Sequence, residues 1–245
     1  EDGTMISLGE IDMRDMEIEN SGDFILYLGG AETSKNYLPM PKSANMLIVR
    51  QTYKNRIKQT HAKINIRNLG SKPIPELLTT EKLENQLNQT LAFVSGTAST
   101  FLKWVNEFKL NHKNSLPLGD QSFFQAAGGD PKICYLHGYY DFNKDECMQI
   151  TTEIPECEYW NFQLENYWME SLDYRHYPIH INDASATLED DRSIIITVSH
   201  FPINVKNNLI TEGRNNGAML LRWISSTTNP IPEVKIKKIE SIETN

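Results

Sequence analysis

The stretch from residue 158 to 175 packs aromatic, amide and charged side chains together more densely than the rest of the sequence. If residues 157–164 form a strand, successive side chains alternate between its two faces. Trp160 then lies on the apolar face, and Asn161 and Gln163 face solvent or a polar cavity. Amides donate and accept hydrogen bonds, as hydroxyl-rich ligands require. The alternative is that both amides satisfy backbone groups of neighbouring loops.

Asp173, Tyr174 and Arg175 follow directly and offer two different kinds of chemistry. The planar fork of Arg175 suits an anionic group, and Asp173 or Tyr174 could then act as acid or base. The alternative is a buried ion pair between Asp173 and Arg175. We expect Arg175 to share a hollow with Asn161 and Gln163.

Three further polar residues stand in or at the end of apolar strands. Arg50 and Arg222 are expected to have a carboxylate mate or a ligand, because Arg is rarely buried alone. His200 ends a strong strand and could reach a cavity, although a lone His is more often structural or exposed. The predicted catalytic residues are thus Asp173, Tyr174 and His200, and the predicted ligand-binding residues are Arg50, Trp160, Asn161, Gln163, Arg175 and Arg222.

The sequence carries no signature of a cofactor. A phosphate loop, a dinucleotide-binding fingerprint and a nucleophile elbow are all absent from it. His176 and His180 could share a strand face, which leaves a metal-dependent hydrolase as a third function, but we predict no metal and no cofactor. Three cysteines favour free thiols over a disulfide framework, with a bridge across a hairpin between Cys134 and Cys147 as the alternative.

Composition favours an ordinary globular domain. The 245 residues are 39% hydrophobic and 23% charged, with a net charge of −8, and they suffice for one large core spanning residues 1–245. The negative charge argues against a nucleic-acid groove. The sequence contains no apolar run of about 20 residues, so no membrane-spanning segment is predicted. Glu1 does not resemble a natural start, so we expect a trimmed chain and leave its compartment, cytoplasmic or periplasmic, open.

One long helix is predicted in the middle of the chain, over about residues 79–108. Its apolar residues recur every three or four positions, which forms one stripe. Thr79 or Thr80 can cap its start, and Gly96 marks a bend or a break as the alternative to one continuous helix. We expect the stripe to pack on the sheet. Its members are Leu83, Leu87, Leu91, Val94, Ala98, Phe101, Val105 and Phe108.

Short strands separated by turn residues fill most of the remaining sequence. A hairpin is predicted from residues 15–19 and 24–28, and a second strand pair from residues 46–53 and 63–67. Seven more strands are predicted at 133–140, 146–151, 157–164, 179–182, 193–199, 218–224 and 234–239. The pattern predicts a mainly β chain with one long helix, arranged as an antiparallel β-sandwich or jelly roll.

The segments at 155–164 and 166–175 resemble the bacterial family called domain of unknown function 1214. Further matching pieces are residues 22–24, 36–39 and 49–51, His200, and Arg222-Trp223. The resemblance implies a β-rich, jelly-roll-like fold and no activity. The loop after His200 departs from the family: Pro202 and Ile210 stand where acidic residues are usual, and Asn208 stands in place of a Trp.

Two classes of function compete. The first is binding, or hydrolysis or cleavage, of a polar small molecule or glycan by the aromatic, amide and Arg cluster. The second is a structural or assembly subunit, which could form homo-oligomers by adding strands at the edge near residues 5–18.

Overall fold

A computed structural model describes residues 7–242 apart from Thr33, Asn45 and residues 71–76. The chain divides into two compact units: residues 1–52 with 120–131, and residues 53–119 with 132–245. The first unit is small and holds little regular structure. The second contains the long helix and both large sheets, so the predicted site residues other than Arg50 belong to it.

The first unit contains one pair of very short strands, β1 (Tyr27–Leu28) and β2 (Tyr37–Leu38), which are parallel. It also contains the short helix α2 (Gln121–Ala126), capped by Asp120. The predicted hairpin of residues 15–19 and 24–28 is wrong. The turn between its arms forms, since Glu19 N donates to Asp23 O, but residues 27–28 pair with 37–38 instead. Residues 5 and 6 of the expected edge lie outside the described residues.

The second predicted strand pair, residues 46–53 and 63–67, is also wrong. All of these residues are described, and none of them joins a strand ladder. Their apolar side chains are largely exposed, as Met46 at 61% and Ile66 at 79% illustrate. Alternation of apolar residues favours a strand only when a neighbouring edge accepts its hydrogen bonds, and no local pattern identifies such a neighbour.

All seven predicted strands of the second half are present, and β8 was not predicted. In chain order they are β3 (Ile133–Asp141), β4 (Glu146–Glu153), β5 (Tyr159–Leu164), β6 (His180–Asn182), β7 (Ser193–Ser199), β8 (Asn208–Ile210), β9 (Asn216–Ile224) and β10 (Glu233–Lys238). They form two four-stranded sheets, ordered β10-β4-β7-β8 and β3-β9-β5-β6. Every pair is antiparallel except β7–β8. The chain is therefore mainly β with one long helix.

Buried side chains from both sheets form one hydrophobic cluster. Phe162 and Trp223 come from one sheet, and Ile196 and Met148 from the other, all at most 1% exposed. Because β3 and β4 belong to different sheets, Cys134 and Cys147 do not face each other across a hairpin. Both are free thiols, as is Cys157. Burial is the main cause that raises the pKa of each thiol.

The long helix α1 (Thr80–Asn111) runs unbroken through Gly96 and begins with a side-chain cap, in which Thr79 Oγ1 accepts from Lys82 N at 3.2 Å. Its last turns pack on β3 and β9, where Val105 and Phe108 are buried. The prediction that the whole stripe packs on the sheet is wrong, because Leu87 and Leu91 are 62% and 68% exposed. None of the described helices has the length and hydropathy of a membrane span.

Candidate functional site

The candidate site lies on the face of the β3-β9-β5-β6 sheet that points away from the shared core. Alternation along β5 is as expected: Trp160, Phe162 and Leu164 are buried, and Asn161 and Gln163 are only partly buried. Strand register aligns the outward side chains in rows. One row is Tyr135, Arg222, Asn161 and Asn182, and the next is His137, Leu220, Gln163 and His180.

Arg222 and Asn161 face each other across the β5–β9 register. The guanidinium donates from Nη1 to Asn161 Oδ1 at 3.5 Å, the long limit of a hydrogen bond. Arg222 is only partly accessible to solvent. Among the described residues, no carboxylate oxygen lies within ion-pair distance of it. The expected mate of this Arg is therefore an amide, which leaves most of its five donors available.

Glu165 continues the outward alternation of β5 by one more position. Its backbone N donates to Ala218 O at 2.9 Å, which ties it to β9. The residue is 4% exposed. Oε1 accepts from Gln163 Nε2 at 3.3 Å, whereas the buried Oε2 has no hydrogen-bond partner among the described residues. A buried carboxylate oxygen therefore lies on the same face as the amides.

The electrostatics of this face follow from burial. Burial raises the pKa of Glu165 to about 7, and the positive charge of Arg222 opposes the rise. Burial likewise lowers the pKa of Arg222, and the negative charge of Glu165 opposes that shift. The two side chains thus sense each other's charge without forming an ion pair, and Glu165 can hold or release a proton near neutral pH.

His137 lies on the same face, on the side of β3. Its ring stacks on that of Phe108 from α1, with centroids 4.8 Å apart. Burial lowers its pKa to about 3, and the charges of Arg222 and His112 add to the effect. The imidazole is therefore neutral in the folded protein at physiological pH, and it adds no positive charge to the site.

Helix α1 and the segment at Lys54 flank this face on opposite sides. The last turns of α1 pack over β3 and β9. On the β6 side, Asn182 Nδ2 donates to Lys54 O at 3.0 Å, and the ammonium of Lys54 pairs with Asp183. Asn161, Gln163 and Arg222 lie between these two flanks. Because they are partly exposed, solvent reaches the face at these three residues.

Arg175 lies elsewhere, in an exposed pair with Asp173. Arg175 Nε and Nη2 each donate to Asp173 at 3.0 Å, and the hydrogen bond from Arg175 is the main cause that lowers the pKa of Asp173. Arg175 is 69% exposed, so the pair is not the buried one that we considered. Both residues line a shallow depression of about 400 Å³ with Tyr174, Glu212 and Arg214. Neither Asn161 nor Gln163 lines it, so this depression is not the hollow that we expected Arg175 to share with the two amides.

The remaining predicted residues are held by local structure. Trp160 is 2% exposed and packs near Trp223 in the core, which leaves no face for stacking on a ligand. His200 is fully buried, with Nε2 at hydrogen-bond distance, 3.1 Å, from Phe142 O. Arg50, in the first unit, donates to the backbone oxygen of Gly128 and is exposed. No group of three or more His, Cys, Asp or Glu among the described residues could hold a metal ion.

The solved structures that resemble this chain include an uncharacterized protein from Burkholderia cenocepacia. It is 33% identical over 98% of this chain and 67% of its own length, with a TM-score of 0.92. The chain belongs to the same family as this protein. A protein from Vibrio parahaemolyticus is 14% identical over 69% of the chain and 48% of its own length, with a TM-score of 0.37, too low to indicate a shared fold. No protein-family model and no curated protein matches the chain.

Sequence reasoning missed two residues of this face, Glu165 and His137. Glu165 could have been found, because the alternation that turns Asn161 and Gln163 outward also turns residue 165 outward. His137 gave no such signal, since it lies within the buried run of β3. Only the register between β3 and β9 places it near Arg222.

Proposed function

We propose that this chain binds a polar small molecule or carbohydrate-like ligand on the outward face that carries Arg222, Asn161, Gln163 and Glu165. One observation carries the proposal. A guanidinium and a largely buried carboxylate lie on the same face, yet no ion pair joins them among the described residues.

The energetics favour a ligand at this position. Buried charges are normally paired, because removing them from water is expensive. A buried oxygen left without a donor costs on the order of 1–3 kcal/mol, and none of the described residues donates to Glu165 Oε2. A hydroxylated ligand would satisfy this oxygen and the free donors of Arg222 together. The amides of Asn161 and Gln163 would supply further donors and acceptors.

The same face supports acid–base chemistry if the ligand is also a substrate. A carboxyl group with a pKa of about 7 is suited to proton transfer at neutral pH. Glu165 therefore takes the acid–base role that the sequence suggested for Asp173, Tyr174 or His200. Hydrolysis or cleavage of a carbohydrate-like substrate is the reaction class that we propose.

A thermal-shift screen tests the proposed binding. The wild-type chain is screened against a panel of sugars, sugar acids and small organic anions, and a hit is then repeated on Arg222→Met. Arg175→Ala is the matched control, because it removes an exposed Arg outside the face. A shift that Arg222→Met loses and Arg175→Ala keeps supports the proposal. A panel without any hit, or a hit lost only in Arg175→Ala, contradicts it.

We infer that the two sheets form a β-sandwich of the jelly-roll type, since their buried faces contribute to one cluster. We also infer membership in domain of unknown function 1214, which rests on the segments at residues 155–164 and 166–175.

A second candidate function, assembly, is favoured by the exposed part of α1. Apolar side chains of its stripe are largely exposed over the first five turns: Leu83 43%, Leu87 62%, Leu91 68% and Val94 58%. Residues 85–102 contain no charged side chain. Exposed apolar stripes and depletion of charge are typical of the core of a protein interface.

We propose that a second copy of this chain covers the stripe. An uncharged surface has no electrostatic complementarity with which to select a different protein as partner. An isologous contact between two copies needs only a surface that is complementary to itself. An antiparallel pair of α1 helices centred near Leu91 would place Leu87 against Val94 of the partner subunit. Light scattering over a range of concentrations tests this, with Leu87→Glu expected to give monomer. Leu110→Glu, off the stripe and 79% exposed in the same helix, is the control, and a wild-type monomer at every concentration contradicts the proposal.

A further inference from the structure

The donors and acceptors on the proposed face also indicate what kind of ligand it takes. Arg222 can only donate hydrogen bonds, and its one acceptor among the described residues is the distant Asn161 Oδ1. The group that binds it must therefore be an acceptor. A carboxylate accepts from the planar fork through two oxygens at once, which gives the strongest and most directional pairing.

The local charge also favours an anion, although the chain as a whole carries −8. Arg222 lies in the middle of the face. Arg56 lies beside β6, with its guanidinium 4.5 Å from the ring centroid of Tyr174, and its charge contributes to lowering the pKa of His180. His180 is the neighbour of Gln163 across the β5–β6 register. Arg56 therefore adds a second positive charge near the β6 end of the face.

Glu165 requires a different hydrogen-bonding group on the ligand. Its Oε2 is buried and has no partner among the described residues, while its Oε1 already accepts from Gln163. A hydroxyl group can donate to an ionised carboxylate and can accept from a protonated one. Of the common ligand groups, a hydroxyl pairs with Glu165 in either protonation state.

The two charged side chains lie apart along the proposed face. Asn161, the cross-strand neighbour of Arg222, and Glu165 lie four residues apart along one strand face, which is roughly 13 Å between Cα atoms. Gln163 lies between them on the same face.

We propose that the ligand is a hydroxylated carboxylate, such as a sugar acid, whose carboxylate is bound by Arg222 and whose hydroxyl group pairs with Oε2 of Glu165. The inference rests on the proposed binding function and narrows it to one ligand class. The amide of Gln163, between the two, contacts the ligand chain. A neutral sugar lacks the first contact, and a plain carboxylate lacks the second.

Calorimetric titration with three probes tests this directly: D-glucuronate, D-glucose and cyclohexanecarboxylate. Wild-type protein should bind glucuronate at least tenfold more tightly than either of the other two. Glu165→Gln should weaken glucuronate binding severalfold and leave cyclohexanecarboxylate unchanged. Arg222→Met should lower the affinity for glucuronate to that for glucose, and Arg175→Ala should change nothing.

The possible failures are distinct. If glucose binds as tightly as glucuronate, the ligand-class inference is overturned and the binding function stands. If none of the three probes binds, and the screening panel gives no hit either, both are overturned. If Arg222→Met does not fold, the comparison of the three probes on wild-type protein still decides between these outcomes.

Discussion

Arg222 and Asn161 face each other across neighbouring strands, and their side chains meet at 3.5 Å. This contact is the closest that Arg222 makes to a side-chain acceptor among the described residues. Within the described part of the chain, the guanidinium has no carboxylate partner, and Oε2 of Glu165, on the same face, has no hydrogen-bond partner. The proposed ligand site follows from this separation of charges.

Glu165 should make stability depend on pH in a direction opposite to most carboxyl groups. Its pKa is about 7 in the folded protein against an ordinary 4.5, so the folded state holds the proton more tightly. Its contribution to stability is complete below pH 4.5 and is lost as the pH rises through 7. Glu165→Gln should therefore be more stable than wild type at pH 8, by up to about 3 kcal/mol, with the difference vanishing near pH 4.5. Urea unfolding at both pH values measures this, and an equal difference at both would refute it.

His137 should act in the other direction. Its pKa falls from an ordinary 6.5 to about 3 on folding, so the unfolded chain binds the proton first as the pH drops. The contribution of His137 to stability should decline below pH 6.5, by at most about 1.4 kcal/mol per pH unit. His137→Phe, which preserves an aromatic ring beside Phe108, removes this contribution, so its stability relative to wild type should rise as the pH falls from 6.5 to 4. Denaturant midpoints compared between the two proteins would show whether it does.

The two faces of β5 should respond differently to truncation. Phe162 is fully buried in the shared core, and Phe162→Ala should cost about 3–5 kcal/mol of the free energy of unfolding. Gln163→Ala removes a partly buried amide with one hydrogen bond and should cost about 1 kcal/mol. If both variants lose a similar free energy of unfolding in chemical denaturation, then β5 does not have one face in the core and the other at the candidate site.

Two glycines give a matched test of packing in α1 and β3. A Cβ on Gly138 would collide with the backbone oxygen of Ser115 and the side chain of Met219, whereas a Cβ on Gly96 meets nothing within 4 Å. Gly138→Ala should therefore be strongly destabilising. Gly96→Ala should stabilise the chain by about 0.5–1 kcal/mol, because Ala is the better helix former. Thermal unfolding of both variants checks this, and a stabilising Gly138→Ala would contradict the packing.

The strands of the second half could be predicted because each carries a strong local signal. Alternation in β5 and the apolar run of β7 are sufficient without knowledge of their neighbours. The same reasoning failed at residues 46–53 and 63–67, where the pattern was present but no neighbouring edge pairs with it. The apolar stripe of α1 was equally clear. The helix sequence does not indicate how much of the stripe the sheet covers, and only its last turns pack on β3 and β9.

The site could be predicted only where one strand carries it. The outward orientation of Asn161 and Gln163 followed from alternation, and the need of Arg222 for a polar partner followed from its apolar surroundings. Arg175 could not be placed relative to β5, because it lies in a loop whose path no local pattern determines. The pairing of Arg222 with Asn161 depends on strand order across the sheet, a property that emerges only when distant segments meet.

The most direct test of the central claim is a map of where a ligand binds. We would add a hit from the screening panel to ¹⁵N-labelled protein and follow the side-chain amide signals of Asn161 and Gln163 and the guanidinium signal of Arg222. Our account predicts that these three signals shift together and saturate at one ligand concentration. Shifts confined to Tyr174, Arg175 and Arg214, with those three signals unchanged, would place the ligand in the shallow depression and contradict it.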